Sequence, residues 1–271
     1  MKIIQKMKIL LPCLTIIFCV ISNKIYAEQD IPTTIDTVNQ KGWMFTGVFD
    51  DISKAYIEFA AHDPYPTLEL GAGRGATAAE LVTKRKSFKN NSEIVVNELS
   101  ATHLDMAAKE YPVLKDKMVK LLPGAFPEQL EFPKKTFNSI LASRFFHFLT
   151  PKEWQIGLKK IFSWLKPGGK FYITTGTYFI NYQKNNISLI EEKKQKGIKW
   201  PASFNSGKEA YGPKSRSGAA TLVDQEILER ELKLAGFKIL KSEYVDLRKY
   251  LPADFCLDGR EAIGVIAIKE I

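Results

Sequence analysis

Three glycines that follow a short apolar run constrain this chain more than any other feature of its sequence. Residues 68–76 read Leu-Glu-Leu-Gly-Ala-Gly-Arg-Gly-Ala. A strand of a parallel sheet is buried on both faces and therefore reads as a short apolar run. Glycines at its end let the backbone turn sharply and approach a ligand closely. We predict that Gly71, Gly73 and Gly75 form a ligand cradle, followed by a helix over about 77–83 whose positive N-terminal end points at the ligand.

The first 27 residues have the pattern of a secretory signal peptide. Lys2, Lys6 and Lys8 precede the uncharged run 9–22, and the polar residues 28–30 follow. The run is shorter than the roughly 20 residues that a membrane span needs, although an uncleaved membrane anchor stays open. Removal of residues 1–27 takes away four lysines and no acid, so the formal charge falls from +9 to +5. We expect an exported protein, periplasmic or secreted, with a polar leader at 28–48.

Strand and helix patterns alternate along the rest of the chain. Apolar residues at helical spacing predict helices, and short apolar runs bounded by Gly, Pro or polar residues predict strands. The predicted helices are 49–61, 101–110, 151–164 and 224–235. The predicted strands are 67–70, 93–97, 119–122, 138–142, 170–175, 238–245 and 261–269. The last two strands have too little chain between them for a parallel crossover. The fold class is therefore α/β, a doubly wound, seven-stranded, mostly parallel sheet with an antiparallel last strand, in a domain over 49–271.

The glycine pattern alone leaves two kinds of nucleotide-type ligand open. Residues 71–76 satisfy the relaxed dinucleotide-binding pattern G-x-G-x-x-G/A, as in a nicotinamide-dependent oxidoreductase, but the pattern is weak by itself. Glu69 lies two residues before the first glycine. The next acid at a strand end, Glu98, comes 27 residues after Gly71, where a dinucleotide fold has it at about 20. A Pro-Gly-Gly turn at 167–169 then precedes a strand. These three features favour another cofactor.

With these segments the chain resembles the class I S-adenosylmethionine-dependent methyltransferases, in particular the small-molecule-type domains with the motif E/D-x-G-x-G-x-G. The resemblance covers residues 49–271. Residues 69–75 match the first motif, residues 95–99 (Val-Val-Asn-Glu-Leu) match the next strand with its terminal acid, and residues 165–171 match the turn before the fifth strand. The resemblance implies a Rossmann-like fold, S-adenosylmethionine as cofactor and transfer of a methyl group to oxygen, nitrogen or carbon of a small molecule, or of a protein.

The same resemblance assigns the cofactor-binding residues. The glycine loop with Ala72 would hold the methionine part of the cofactor, and Glu98, with Leu99 beside it, would bind the ribose. A carboxylate has two acceptor oxygens and can accept hydrogen bonds from both hydroxyls of a diol. Without the glycine loop, Glu98 would read as a solvated loop acid. Glu69 lies in an apolar strand, where an unpaired carboxylate is costly, so we expect a backbone amide or the cofactor ammonium as its partner.

The adenine segment departs from the family pattern. Many relatives have Gly-Asp-Ala after the third strand, with the acid on the adenine amino group, whereas this chain has Gly124, Ala125 and Phe126. These residues could surround the adenine through backbone bonds and stacking. After the fourth strand, Ser143 and Arg144 fall where the family passes beneath the methionine part. Arg144 is the candidate partner of the cofactor carboxylate.

Candidate catalytic residues follow the fourth and fifth strands. An acceptor that begins protonated benefits from a general base, and His147 is the titratable candidate, with packing among its neighbouring phenylalanines as the alternative. Tyr178 is the second candidate. Tyr56, Tyr178 and Tyr182 could line the acceptor pocket or could simply belong to the core.

Residues 177–220 form a long insertion without clear periodicity. The part 180–220 carries eight Lys or Arg residues and three Glu, a local charge of +5. Because it follows the fifth strand at the ligand-binding edge of the sheet, it could be a lid that selects an anionic acceptor; a solvated surface loop is the alternative. Outside the predicted signal segment 1–27, neither an Asn/Asp-Pro-Pro-Tyr/Phe motif nor a Pro-Cys nucleophile is present, so we do not expect nucleic acid. We expect no metal site and no second cofactor.

A second function stays open from the sequence. The cofactor is made in the cytosol, while the N-terminus predicts export, and the adenine acid is missing. A catalytically silent domain of the same fold that binds a ligand would satisfy both observations.

Overall fold

A seven-stranded sheet forms the centre of the structure, which is a computed structural model that describes residues 34–36, 43–45, 47 and 50–270. These residues belong to one compact unit, Pro32–Ile271. The predicted signal segment 1–27 and most of the leader lie outside the described residues. The strands are β1 (Thr34–Asp36), β2 (Trp43–Phe45), β3 (Thr67–Leu70), β4 (Ile94–Glu98), β5 (Val119–Pro123), β6 (Phe137–Ser143), β7 (Leu165–Gly176), β8 (Ser203–Phe204), β9 (Ala220–Thr221), β10 (Lys238–Val245) and β11 (Ala262–Ile268). The helices are α1 (Asp51–His62), α2 (Ala76–Ser87), α3 (Ala101–Glu110), α4 (Pro151–Trp164), α5 (Ile187–Gln195), α6 (Gly207–Tyr211) and α7 (Gln225–Leu234).

The order of the central sheet is β5, β4, β3, β6, β7, β11, β10. Strands β3 to β7 pair in parallel, and β11 is antiparallel to both of its neighbours. Every residue of β3 and β4 is buried, as the apolar runs predict. The predicted α/β fold, with seven strands and one antiparallel strand, is confirmed.

Successive side chains of the strands enter two separate cores, because they point to opposite faces of the sheet. Leu68, Ile140 and Phe171 belong to the core that α4 and α7 cover. Leu141 and Tyr172 belong to the core that α1 and α2 cover. Helices on both faces explain why the central strands contain almost no exposed position.

Local capping fixes where the helices beside the site begin. The side chain of Asp50 accepts a hydrogen bond from the Ser53 amide at 2.8 Å at the start of α1. Thr150 and Glu153 form a reciprocal capping box at the start of α4, and Pro151 occupies a first-turn position that tolerates proline. Caps of this kind satisfy backbone amides that have no partner within the helix.

The insertion 177–220 differs from the sequence-based expectation. It is not an irregular loop, because it contains α5, α6 and the two-stranded ladder β8–β9. Its elements are short, and five residues of α6 give too little sequence for a helical period to emerge. A buried polar network explains the order of α5: Lys194 contacts Asp224 at 2.6 Å and Glu191 at 3.2 Å.

Within the described ranges, none of the helices combines the length and the apolar character that crossing a membrane requires.

Candidate functional site

A cavity of about 1180 Å³ opens at the carboxyl ends of the parallel strands. Chain connections leave β3 and β6 toward opposite sides of the sheet, and such a switch point is where open α/β sheets bind ligands. The predicted residues that line the cavity are Glu69, Gly71, Ala72, Gly73, Glu98, Leu99, Gly124, Ala125, Phe126, Ser143, Arg144 and His147. Eleven of the twelve predicted cofactor positions therefore meet in one place; the exception is Gly75.

The glycine loop has the backbone conformation that a close ligand approach requires. The φ angles of Gly71 and Gly73 are +64° and +57°, in the region that glycine adopts without steric cost. A Cβ at Gly71 would lie 2.6 Å from the Phe145 ring, and a Cβ at Gly73 would lie 2.7 Å from the sulfur of Met44. Met44, from β2, thus covers the loop from a part of the chain that the sequence analysis assigned to the leader.

Gly75 has a different role from the one expected. It is the N-cap of α2 with φ +75°, and it does not line the cavity. A Cβ there would lie 2.9 Å from Leu114 and 3.2 Å from Ala107. The absence of a side chain at Gly75 therefore allows α2 to pack closely against α3 and the turn after it. It does not make room for a ligand.

Glu69 is a buried carboxyl at the end of β3, 3% exposed. Burial raises its pKa to about 8, while hydrogen bonds from the Thr77 side chain and the Ala78 amide act in the opposite direction, as does the nearby charge of Arg144. The expected backbone partner is present. Oxygen Oε2 is buried without a hydrogen-bond partner among the described residues, so this carboxyl can still receive an ammonium group.

Glu98 lies at the end of β4 with three donors around its carboxylate. Oε2 accepts the Gly73 amide at 2.9 Å, and Oε1 accepts the Ser100 amide at 3.3 Å. The Nδ1 atom of His103 lies 3.2 Å from Oε1. The carboxylate is thus tied to the glycine loop, and it is well oriented to accept a further donor from a ligand in the cavity.

His103 is a cavity residue that the sequence analysis missed. It is 1% exposed and lies in the first turn of α3, five residues after Glu98. The short distance in sequence between His103 and Glu98 could have indicated this position. A short turn between a strand and a helix places the first turn of the helix next to the end of the strand.

The adenine side of the cavity contains backbone and aromatic groups. The Asn97 side chain donates to the carbonyls of Leu122 and Gly124 at 3.1 and 3.0 Å and so fixes the turn after β5. The Phe126 ring lies 5.8 Å from the Phe145 ring in an edge-to-face arrangement. This wall offers carbonyls and a ring surface, as the sequence predicts, in the place of the family's acid.

Arg144 adopts an uncommon backbone conformation at the end of β6. Its φ is +57°, which is unusual for a residue with a side chain and common at binding sites. Burial lowers the pKa of its guanidinium, and the carboxylates of Asp50 and Glu69 act in the opposite direction. The adjacent Ser143 hydroxyl lies 3.2 Å from that of Thr174. Arg144 thus brings a partly buried cation to the cavity wall, close enough to Asp50 and Glu69 to interact with their carboxyl groups.

His147 lies in the short 3₁₀ turn after β6. Its Nδ1 accepts the Gly176 amide at 3.3 Å, so the neutral ring carries its hydrogen on Nε2. Burial and the nearby Arg144 charge lower the pKa of His147 to about 3. Both observations oppose the expected general base: with Nδ1 occupied, this histidine is a hydrogen-bond donor.

The three tyrosines do not line the cavity. The Tyr178 hydroxyl contacts Glu191 at 2.6 Å and Asp224 at 2.7 Å, and burial raises its pKa far above the usual range. Tyr56 is fully buried beneath β3, and Tyr182 is 47% exposed and packs on Gly212. The structure does not place Tyr178, a predicted catalytic candidate, at the cavity; its hydroxyl instead contacts Glu191 of the insertion and Asp224. Tyr56 belongs to the core, which is the alternative that the sequence left open for it.

The remaining wall of the cavity comes from the insertion and from the segment before β11. Tyr211, Lys214 and Arg216 contribute from the first, and Glu261 from the second. The positive insertion thus reaches the ligand-binding edge, as expected of a lid. Among the described residues no group of three or more His, Cys, Asp or Glu side chains could hold a metal ion.

The features of the cavity fit S-adenosylmethionine. A glycine cradle that a Cβ would fill, a buried acid without a full set of partners and a strand-end carboxylate correspond to its methionine, ammonium and ribose parts. The parallel strands β5, β4, β3, β6 and β7, extended by β11 and β10, carry these features at the switch point between β3 and β6. Fold and site together define a Rossmann-like methyltransferase architecture.

Comparison with known protein families supports this architecture. Residues 67–169 match the family model of a methyltransferase domain. No curated protein matches the sequence.

Solved structures share the fold. A methyltransferase from Methanosarcina mazei is 18% identical with a TM-score of 0.54, over 79% of this chain and 97% of its own. The 1,6-didemethyltoxoflavin-N1-methyltransferase of Burkholderia thailandensis, solved with S-adenosylhomocysteine, is 17% identical with a TM-score of 0.51, over 82% and 80%. At these identities the likeness concerns the fold alone.

Proposed function

We propose that this protein transfers the methyl group of S-adenosylmethionine to a small molecule. One observation carries the proposal: a single cavity joins the glycine loop and Glu98 to residues of the insertion. We call the side of the cavity with the glycine loop and Glu98 the cofactor half, and the side lined by the insertion the acceptor half. Because the two halves share one cavity, they can hold two reactants in contact, and such positioning accounts for a large part of the rate in displacement reactions.

Each residue of the cofactor half has a role that its chemistry supports. Glu98 accepts ribose hydroxyls, Glu69 receives the amino group, and Arg144 pairs with the carboxylate. Phe126 and the backbone beside it surround the adenine. When bound, the cofactor supplies an electrophilic methyl group, and the electron pair of the broken carbon–sulfur bond stays on sulfur.

The acceptor half supports a ligand with an anionic group. Lys214 and Arg216 line the cavity from its solvent-exposed side. Cationic side chains around an opening raise the local concentration of anions. His147, as a neutral donor on Nε2, can orient an acceptor atom without taking its proton.

Formation of S-adenosylhomocysteine tests this function. The protein is incubated with S-adenosylmethionine and pools of small amines, alcohols and carboxylates, and product is measured by mass spectrometry. We expect product with at least one pool and its loss in the Glu98→Gln variant. Binding of the cofactor without transfer to any pool would contradict the proposal and support a silent binding domain.

Export belongs to the same proposal. Its support is the sequence of residues 1–27, three lysines before an uncharged run. Outside the cytosol the cofactor is scarce, so an exported enzyme would act after delivery into another cell or with cofactor from elsewhere. The N-terminal mass of the protein recovered outside the cytosol tests this: we expect a start at Glu28, and retention of Met1 would indicate an uncleaved anchor.

A further inference from the structure

Glu261 is a buried carboxylate that the proposed transfer reaction does not yet use. It is 2% exposed and precedes β11 at the wall of the cavity. One oxygen, Oε1, accepts three successive backbone amides, those of Leu257, Asp258 and Gly259, at 2.8, 3.1 and 3.0 Å. The other oxygen, Oε2, is buried with no hydrogen-bond partner among the described residues.

The two oxygens therefore have different roles. Oε1 holds the loop before β11 and fixes the orientation of the carboxylate. Oε2 is an acceptor in a desolvated position, and a buried acceptor without a partner costs about 1–3 kcal/mol. Glu261 can satisfy Oε2 through a ligand that donates a hydrogen bond.

Sheet pairing brings this acid to the acceptor half of the cavity. The Thr177 amide donates to the Glu261 carbonyl at 3.0 Å, and Ala262 pairs with Gly176. Gly176 is also the residue whose amide donates to His147. The backbone of Glu261 thus lies beside the end of β7, whose last residue, Gly176, donates to His147.

Tyr211 adds a second buried polar atom to the same wall. Its hydroxyl is buried and has no hydrogen-bond partner in the part of the chain that the structure describes. The ring centroid lies 6.0 Å from that of His147, and it is stacked at 6.5 Å and 19° on Phe255. The acceptor half thus combines a carboxylate oxygen, a hydroxyl and aromatic faces.

An amino group matches this combination best. An ammonium group donates a charge-assisted hydrogen bond to Oε2, which a neutral alcohol cannot offer, and the Tyr211 hydroxyl can donate to or accept from either ligand. The protonated form of the amine compensates a buried negative charge and is attracted by aromatic faces. For transfer, the ammonium gives one proton to Oε2 of Glu261; the freed nitrogen lone pair then forms the bond to the methyl carbon while the carbon–sulfur bond breaks and its electron pair stays on sulfur. The positive charge of Arg248 interacts electrostatically with Glu261. The three backbone amides of the loop occupy Oε1 of Glu261 and leave Oε2 for the ligand.

We propose that Glu261, with Tyr211, forms an amine-binding subsite, so that the acceptor of this enzyme is a primary or secondary amine. The inference rests on the proposed function and narrows it. Lys214 and Arg216 on the exposed side of the cavity would then bind an anionic group elsewhere on the same molecule.

Binding of two matched probes tests the subsite. Benzylamine and benzyl alcohol have the same ring and differ in the donor group. Their affinities are measured by calorimetry on the full protein, with and without S-adenosylhomocysteine. We expect benzylamine to bind at least tenfold more tightly than benzyl alcohol, because a hydrogen bond to a charged group is among the stronger ones.

Two variants make the test specific. Glu261→Gln keeps an oxygen for the three amides and turns the other position into a donor, so the preference for benzylamine should vanish. Asp258→Asn removes a neighbouring carboxylate that pairs with Arg260 outside the cavity, and it should keep the preference. Thermal melting of both variants serves as the control that they fold.

The outcomes separate the two proposals. Equal binding of the probes to the unaltered protein, or an unchanged preference in Glu261→Gln, would overturn the amine subsite. An equal loss in Asp258→Asn would overturn it as well. Absence of S-adenosylhomocysteine binding, with the amine preference retained, would overturn the methyltransferase proposal and leave the amine-binding subsite supported.

Discussion

Replacement of Glu98 by Gln tests the assignment of the ribose site. The carboxylate accepts the amides of Gly73 and Ser100 and lies 3.2 Å from His103. A carboxylate offers about four lone-pair positions, so one remains for a ribose hydroxyl without displacement of a protein donor. The second hydroxyl must share or displace one of the three.

The magnitude follows from that count. A hydrogen bond to a charged group contributes about 1.5–3 kcal/mol, and about 1.4 kcal/mol corresponds to a factor of ten. The Glu98→Gln change should therefore weaken S-adenosylhomocysteine binding about 10- to 100-fold. Because Gln offers one oxygen fewer to Gly73 or Ser100, the folded state should also lose about 1 kcal/mol, which lowers Tm by about 2–4 °C.

Calorimetric titration and thermal melting measure the two effects on the same samples. Glu80→Gln is the matched control, since Glu80 is an exposed residue of α2 away from the cavity. The control should leave both affinity and Tm unchanged. An affinity of Glu98→Gln within threefold of the unaltered protein would refute the ribose assignment, whatever its Tm.

Three further predictions concern the histidine, the buried acid and the glycine loop. The pKa of His147, lowered to about 3, means that the folded state excludes a proton that the unfolded chain binds near 6.5, so stability falls as the pH drops below that value. His147→Gln should flatten the fall in Tm between pH 6.5 and 4, and an unchanged slope contradicts the neutral ring. Because burial raises the pKa of Glu69 to about 8, we expect most of this carboxyl to be protonated at pH 7 in the free protein. Binding of the cofactor ammonium should release that proton, which calorimetry in buffers of different ionisation enthalpy detects; a binding enthalpy independent of buffer argues against the pairing. Gly73→Ala and Gly168→Ala impose a similar left-handed strain of about 1–2 kcal/mol, but only Gly73 lies in the cavity, while a Cβ at Gly168 meets open space. Both should lower Tm and only Gly73→Ala should weaken S-adenosylhomocysteine binding, so equal affinities in the two variants refute the cradle.

The sequence predicted those parts of the fold that local pattern determines. Strands β3 and β4 are buried on both faces and read as apolar runs, and the Thr150 cap with Pro151 fixed the start of α4. The residues of the cofactor half could be predicted from the sequence for the same reason. They follow directly after strand ends, and parallel strands bring their carboxyl ends to one edge of the sheet.

The acceptor half depends on contacts between distant segments. Glu261 reaches the cavity because β11 pairs with β7, and Tyr178 leaves it because Glu191 and Asp224 bind its hydroxyl. Neither arrangement has a signature in the neighbouring sequence. Residue type alone suggested a tyrosine for the site and gave no reason to select a glutamate 85 residues after the end of β7 (261 − 176).

A structure of the protein with S-adenosylhomocysteine tests the central claim most directly. The account predicts that the ligand lies at the ends of β3 and β4, with its ribose hydroxyls on Glu98 and its sulfur directed toward Glu261 and Tyr211, beneath residues of the insertion. A ligand bound elsewhere, or a ribose that does not contact Glu98, would contradict it.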